Sequence, residues 1–205
     1  MIARLLNDYY VAKGRSVAAF DLADEVPRLV NYVTGANIVD IGDICEQVAF
    51  FDGLIVGNEI VKVIDVGYRD FMDFFSIVRM IGLFEEAHRR NIKPLVLFVI
   101  DPTQKTLKIY ETLRHSFSGV LLVPVRNRLV ADSLCDRAFC QTSEFAVPLE
   151  IPMLDSSSRS LIDCEGFSFG EAWSNGVLLR SEDELQKWSG PIHWQFRELE
   201  LAAVN

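Results

Sequence analysis

Three polar positions close short apolar runs, and each has a side chain that could act on a bound ligand. Asp21 follows the apolar part of SVAAFDL, Asp65 that of EIVKVIDVG with Gly67 just beyond, and Asn127 closes GVLLVPVRN. A carboxylate in such a place can hold a magnesium ion through water, and a glycine lets backbone approach a phosphate. An asparagine beyond a strand can pair with the edge of a base. Each position also has a plainer reading: a strand-end aspartate serves equally well as a helix cap, and Asn127 could shape a turn.

Other reactive side chains point less clearly to chemistry. His88, His115 and His193 have no triad spacing, and the first two fall near the ends of helical patterns. Cys45, Cys135, Cys140 and Cys164 show no CxxC spacing and no neighbouring histidine, so they read as reduced packing residues. The acid pairs at Glu85/Glu86 and Glu182/Asp183/Glu184 read as solvated faces or helix starts.

The elements that must position the three sites alternate along the chain. Ile2, Leu5, Leu6, Tyr9 and Tyr10 predict an opening helix that stops at Gly14 and Arg15. SVAAFDL predicts a buried strand, a weaker helix follows near Pro27 to Val33, and NIVDIG predicts a brief strand. Asp43 is expected to cap a short helix through Phe50. After the strand EIVKVIDVG, the run DFMDFFSIVRMIGLFEEAHRRN predicts the longest helix, ending in His88, Arg89 and Arg90. Its four phenylalanines and two methionines suit a core-facing helix, and also a dimer face. PLVLFVID predicts a strand covered on both faces, QKTLKIYETLRHSF a helix, and GVLLVPVRN a strand. SSSR at 156–159 reads as a loop, and the tail as one or two surface helices anchored by Trp173, Trp188 and Trp194.

This order predicts an α/β fold, a three-layer αβα domain with a mainly parallel sheet and right-handed crossovers. Its 205 residues suit one domain, with 150–205 as a C-terminal helical extension. Half the residues are hydrophobic and the mean hydropathy is +0.19, enough for a core without metals or crosslinks. A net charge of -9 disfavours a chain-wide grip on DNA or RNA. No apolar run is long enough to span a membrane, and the N-terminus lacks the apolar stretch of a signal peptide, so a cytoplasmic protein is expected. A parallel sheet rarely opens on an amphipathic helix, so a further strand is expected ahead of Met1.

Taken in order, these segments resemble the ParA/MinD family of deviant Walker A ATPases. ARLLNDYYVAKGRSVAAFDL is similar to the stretch after that family's phosphate loop, where a GKGGVGK[ST]-type loop leads into a helix and then a strand ending in aspartate. KVIDVG resembles the family's Walker B strand, and LLVPVRNR the strand whose terminal asparagine reads adenine. The likeness covers residues 2 to about 135 in layout, and more loosely IPML and the closing helix. It implies a P-loop NTPase-like fold that uses ATP and Mg2+, with Asp65 as the magnesium carboxylate, Gly67 at the γ-phosphate and Asn127 at the base. It also implies a homodimer that ATP joins and hydrolysis releases, serving plasmid partition, conjugative transfer or the positioning of cellular machinery through an undetermined protein cargo.

Two departures bear on activity. The phosphate loop with its strand and lysines is not in the sequence, so ATP is expected to bind poorly, and the simplest expectation is that the product continues upstream of Met1. Family members also place an acid two residues after the strand-end aspartate; here that position is Ala23, and Asp24 follows one residue later. With Asp21 and Asp24 as the candidate catalytic residues, that one-residue slip predicts slow hydrolysis, because phosphoryl transfer depends on positioning. The alternative is a non-catalytic scaffold or dimerisation module of the same fold.

Overall fold

The computed structural model describes residues 1–22, 28–57, 59–100, 104–129, 148–170 and 180–204. Among them the order is α1 (Ile2–Ala12), β1 (Val17–Asp21), β2 (Asn37–Ile38), α2 (Ile44–Leu54), β3 (Val61–Asp65), α3 (Phe71–Met80), α4 (Leu83–Arg89), β4 (Leu95–Ile100), α5 (Gln104–Ser116), β5 (Leu121–Asn127), β6 (Leu149–Ile151), α6 (Ser156–Ile162) and α7 (Arg180–Val204). The protein is α/β, and every strand pair among the described residues is parallel. The expected mainly parallel sheet takes the form of two three-stranded sheets, β2-β1-β3 and β4-β5-β6. They belong to two compact units: Met1–Ile92 with Ser157–Gln186, and Lys93–Ser156 with Lys187–Asn205.

In the first unit, α1 ends as its sequence requires. Gly14 adopts φ +70°, and the N–H groups of Gly14 and Arg15 return to the carbonyls of Val11 and Tyr10. That is a Schellman closure, which needs a residue free to take the left-handed conformation. Above β1 and β3, Ala3, Ala19, Leu29, Val33 and Val63 form a core cluster, with Leu6, Val17, Ala36 and Val61 packed around it. Burying each of its larger aliphatic side chains stabilises the fold by about 1.5–3 kcal/mol. Asp43 caps α2 through a 2.9 Å bond from the Glu46 N–H, as expected, and the helix runs on past Phe50 to Leu54.

Three expectations are corrected here. The long helix is two helices, because Gly82 takes a left-handed conformation (φ 62°) and turns the chain between α3 and α4. Residues 28–33 form turns in place of the expected helix, since Asp21 accepts the N–H groups of Leu29 and Val30 and draws that backbone to the end of β1. SSSR opens α6, in which Ser158 is fully buried and its hydroxyl meets Glu184 at 3.4 Å. Phe74 and Phe75 of α3 are buried as the core-facing reading required, whereas Met72 and Met80 are 61% and 75% exposed.

In the second unit, β5 lies between β4 and β6. Phe98 packs its ring against Tyr110 of α5, with centroids 5.5 Å apart. β4 is less covered than its all-apolar sequence suggests: Phe98 is buried, but Val99 is 48% exposed. β6 is a strand the sequence reading did not find, being only three residues long. The side-chain amide of Gln195 takes the place of a further strand along it, accepting from the Glu150 N–H at 2.6 Å and donating to the Glu150 carbonyl at 2.9 Å. Trp188, Ile192, Phe196 and Leu199 of α7 are buried at helical spacing, so this part of the tail is core and not surface. The Trp188 indole donates to the Pro152 carbonyl at 2.9 Å, and Trp194 is 63% exposed. Trp173 lies outside the described residues.

Candidate functional site

The register of β1 and β3 builds the site. Their five paired residues end with Asp21 opposite Asp65, so two carboxylates stand side by side at the C-terminal ends of adjacent parallel strands. Ligands of open parallel sheets collect beyond such ends. The backbone fixes the corner on both sides: the Leu22 N–H donates to the Asp65 carbonyl, and the Val39 N–H to the Asp21 carbonyl, each at 3.0 Å.

The two carboxylates have different surroundings. Asp21 is 1% exposed, and its Oδ2 accepts from the Leu29 N–H at 2.7 Å and the Val30 N–H at 3.3 Å. Asp65 is partly buried, and burial holds its carboxyl above the usual carboxylate range. The N-terminal ammonium of Met1 opposes that rise, the Asp21 carboxylate reinforces it, and the Arg28 guanidinium opposes it. α1 therefore opens beside Asp65. Burial in turn lowers the Met1 ammonium, against the attraction of Asp65. A carboxyl perturbed by desolvation next to a second acid is a common mark of a functional corner.

Gly67 is partly buried in the irregular stretch that leads from β3 toward α3. Asp70, at the N-cap of α3, makes no side-chain capping bond, and its Oδ2 is buried without a hydrogen-bond partner among the described residues. Asp24 and Ala23 lie outside the described residues. Arg69 is exposed. Asn127 belongs to the second unit, where it is the last residue of β5. Its Oδ1 accepts from the Leu129 N–H at 3.1 Å, which is the turn-shaping role. On either side, Arg126 and Arg128 pair with Glu150 at 3.3 and 2.8 Å.

Oxygen donors of the kind a hard cation takes are thus present at Asp65 and Asp70. Among the described residues no three His, Cys, Asp or Glu side chains gather to cage a metal. A magnesium ion at Asp65 would take most of its shell from water and phosphate, as that ion commonly does. The residues present fit such a carboxylate. They do not by themselves fit a triphosphate, since the sequence has no GK[ST] loop.

Two buried charged residues escape sequence reasoning. Arg4 and Asp8 on α1 are 3% and 8% exposed, although helical periodicity places charged residues outward. Their only signal is an opposite-charge pair one turn apart, which ordinarily marks a surface ion pair. Comparison of the chain with family models, curated proteins and solved structures gives no match.

Proposed function

We propose that this chain is the body of a nucleotide-dependent switch ATPase of the ParA/MinD type, with the Asp21/Asp65 corner as its metal-nucleotide end. The observation that carries the reading is the register that sets Asp65 beside Asp21 where α1 begins. In this reading Asp65 holds magnesium through water, Gly67 faces the terminal phosphate and Asp21 braces the switch segment. ATP with its magnesium supplies the energy of the switch, and a loop of lysines and backbone N–H groups must cradle its phosphates. The outer edge of β3 has no strand partner among the described residues, and a parallel strand there would end next to Met1 and Asp65. The exposed Met72, Met80 and Tyr68 support a homodimer face, since adaptable methionines suit protein contacts. No described helix is long and apolar enough to cross a membrane.

A second reading has its own support. The Asp21 carboxylate and the Asn127 carbonyl oxygen are both engaged by backbone N–H groups, as in a scaffold that has kept the fold and lost the nucleotide. Calorimetric titration with ATP and magnesium separates the two. It is run on the 205-residue chain and on the same chain preceded by an apolar strand and a GK[ST] loop. Binding by the longer form alone supports the switch; binding by neither sinks it and leaves the scaffold.

A further inference from the structure

Arg4 is a buried cation whose hydrogen bonds go to backbone carbonyls. Its Nη2 donates to the Ile162 carbonyl at 2.9 Å and to the Phe167 carbonyl at 3.2 Å, and its guanidinium lies 3.6 Å from the centroid of the Tyr32 ring. One turn further along α1, Asp8 accepts from the N–H groups of Phe169 at 2.7 Å and Gly170 at 3.2 Å. These contacts strap residues 162–170 onto α1.

The strap also touches the turn at 28–33. The Gly166 N–H donates to the Asn31 carbonyl at 3.0 Å, and the Tyr32 hydroxyl to the Asp163 carbonyl at 3.3 Å. The other end of that turn hangs on Asp21 through Leu29 and Val30. A desolvated guanidinium left without partners is costly, so Arg4 resists a parting of the Tyr32 ring from the strap carbonyls.

We propose that Arg4 couples the Asp21/Asp65 corner to the 162–170 strap, so that a change in what Asp21 holds is transmitted through the 28–33 turn to the strap. The coupling runs through the fold's own groups and is read without nucleotide, so it stands or falls separately from the switch reading. The corner is thereby given an output surface within its own unit. Arg4 is a positioning residue in this scheme, and coupling of this kind is reciprocal.

Amide hydrogen exchange read by NMR on the full chain tests it. Asp21→Asn weakens the hold on Leu29 and Val30, and exchange at Gly166, Phe169 and Gly170 is expected to quicken tenfold or more with theirs. The α2 amides, in the same unit as the turn and the strap, serve as the reference for unfolding of that unit. In an Arg4→Met background the quickening at Phe169 and Gly170 should fall back to the reference, while Gly166, bonded directly to Asn31, should still follow the turn. Arg4→Lys, which keeps the charge without the planar stacking group, should transmit part of the effect. If Asp21→Asn quickens Leu29 and Val30 but leaves the strap amides at their original rates, the coupling does not exist. That outcome overturns the proposal even if Arg4→Met fails to fold.

Discussion

Replacing Asp21 by alanine should weaken the first unit by an amount that the geometry sets. The buried N–H of Leu29 and the part-buried N–H of Val30 lose a carboxylate acceptor at 2.7 and 3.3 Å. Bonds to charged groups contribute about 1.5–3 kcal/mol each, with the longer one at the weak end. Loss of the repulsion between Asp21 and Asp65 offsets a part, so a net cost of about 2–3 kcal/mol is expected. Asp65→Asn should act in the opposite direction. Its folded pKa is raised above the ordinary 3.8, so at neutral pH the fold carries a charge it disfavours. The asparagine variant should therefore be the more stable one at pH 7. Its advantage should shrink as pH falls through the raised folded pKa, and vanish below 3.8. Urea denaturation of both variants across pH provides the assay. An Asp21→Ala protein within about 0.5 kcal/mol of the parent, the ordinary range of a surface change, would refute the bracing role. An Asp65→Asn protein less stable than the parent at pH 7 would refute the strained-carboxylate role.

Other outcomes follow from single features. Gly82→Ala should cost about 1–2 kcal/mol in the same assay, because φ 62° is strained for any residue with a Cβ, although only the flexible Glu85 carboxylate lies near. Asp43→Ala should cost about 1 kcal/mol and Asp43→Asn much less, since asparagine retains the acceptor that caps α2. Burial lowers the His193 pKa below 6.5, so the folded state resists the proton that the unfolded chain takes up. The stability it contributes should be complete above 6.5 and lost as pH falls through that value toward the lowered folded pKa. Thermal melts of His193→Gln should lack that part of the pH slope.

Much of the layout was legible because local rules fix it. β1, β3 and β5 end at Asp21, Asp65 and Asn127, where apolar runs give way to polar residues, and Asp43 caps its helix by side-chain chemistry alone. The split of the long helix was written in Gly82, but a lone glycine inside a strong apolar pattern does not reveal its φ. β6 was too short to show a period. Its edge is closed by Gln195, some 45 residues away, a partnership that no local pattern encodes. The corner itself was half legible: the residue types at the strand ends were evident, while the register that pairs Asp21 with Asp65 arises only on folding. Arg4 and Asp8 were hidden for the same reason, since their partners at 162–170 lie far along the chain. Asn127 illustrates the reverse case, where both of its readings were visible and the turn bond to Leu129 satisfies the plainer one.

The most direct test of the switch reading is the magnesium dependence of ATP binding, measured by calorimetry on the chain preceded by a strand and GK[ST] loop, with and without Asp65→Asn. The expected result is tighter ATP binding with magnesium in the parent, and loss of that magnesium effect in the variant while metal-free ATP binding is unchanged. Equal magnesium dependence in both proteins would contradict the assignment of Asp65, and with it the claim that the paired strand ends form a metal-nucleotide site.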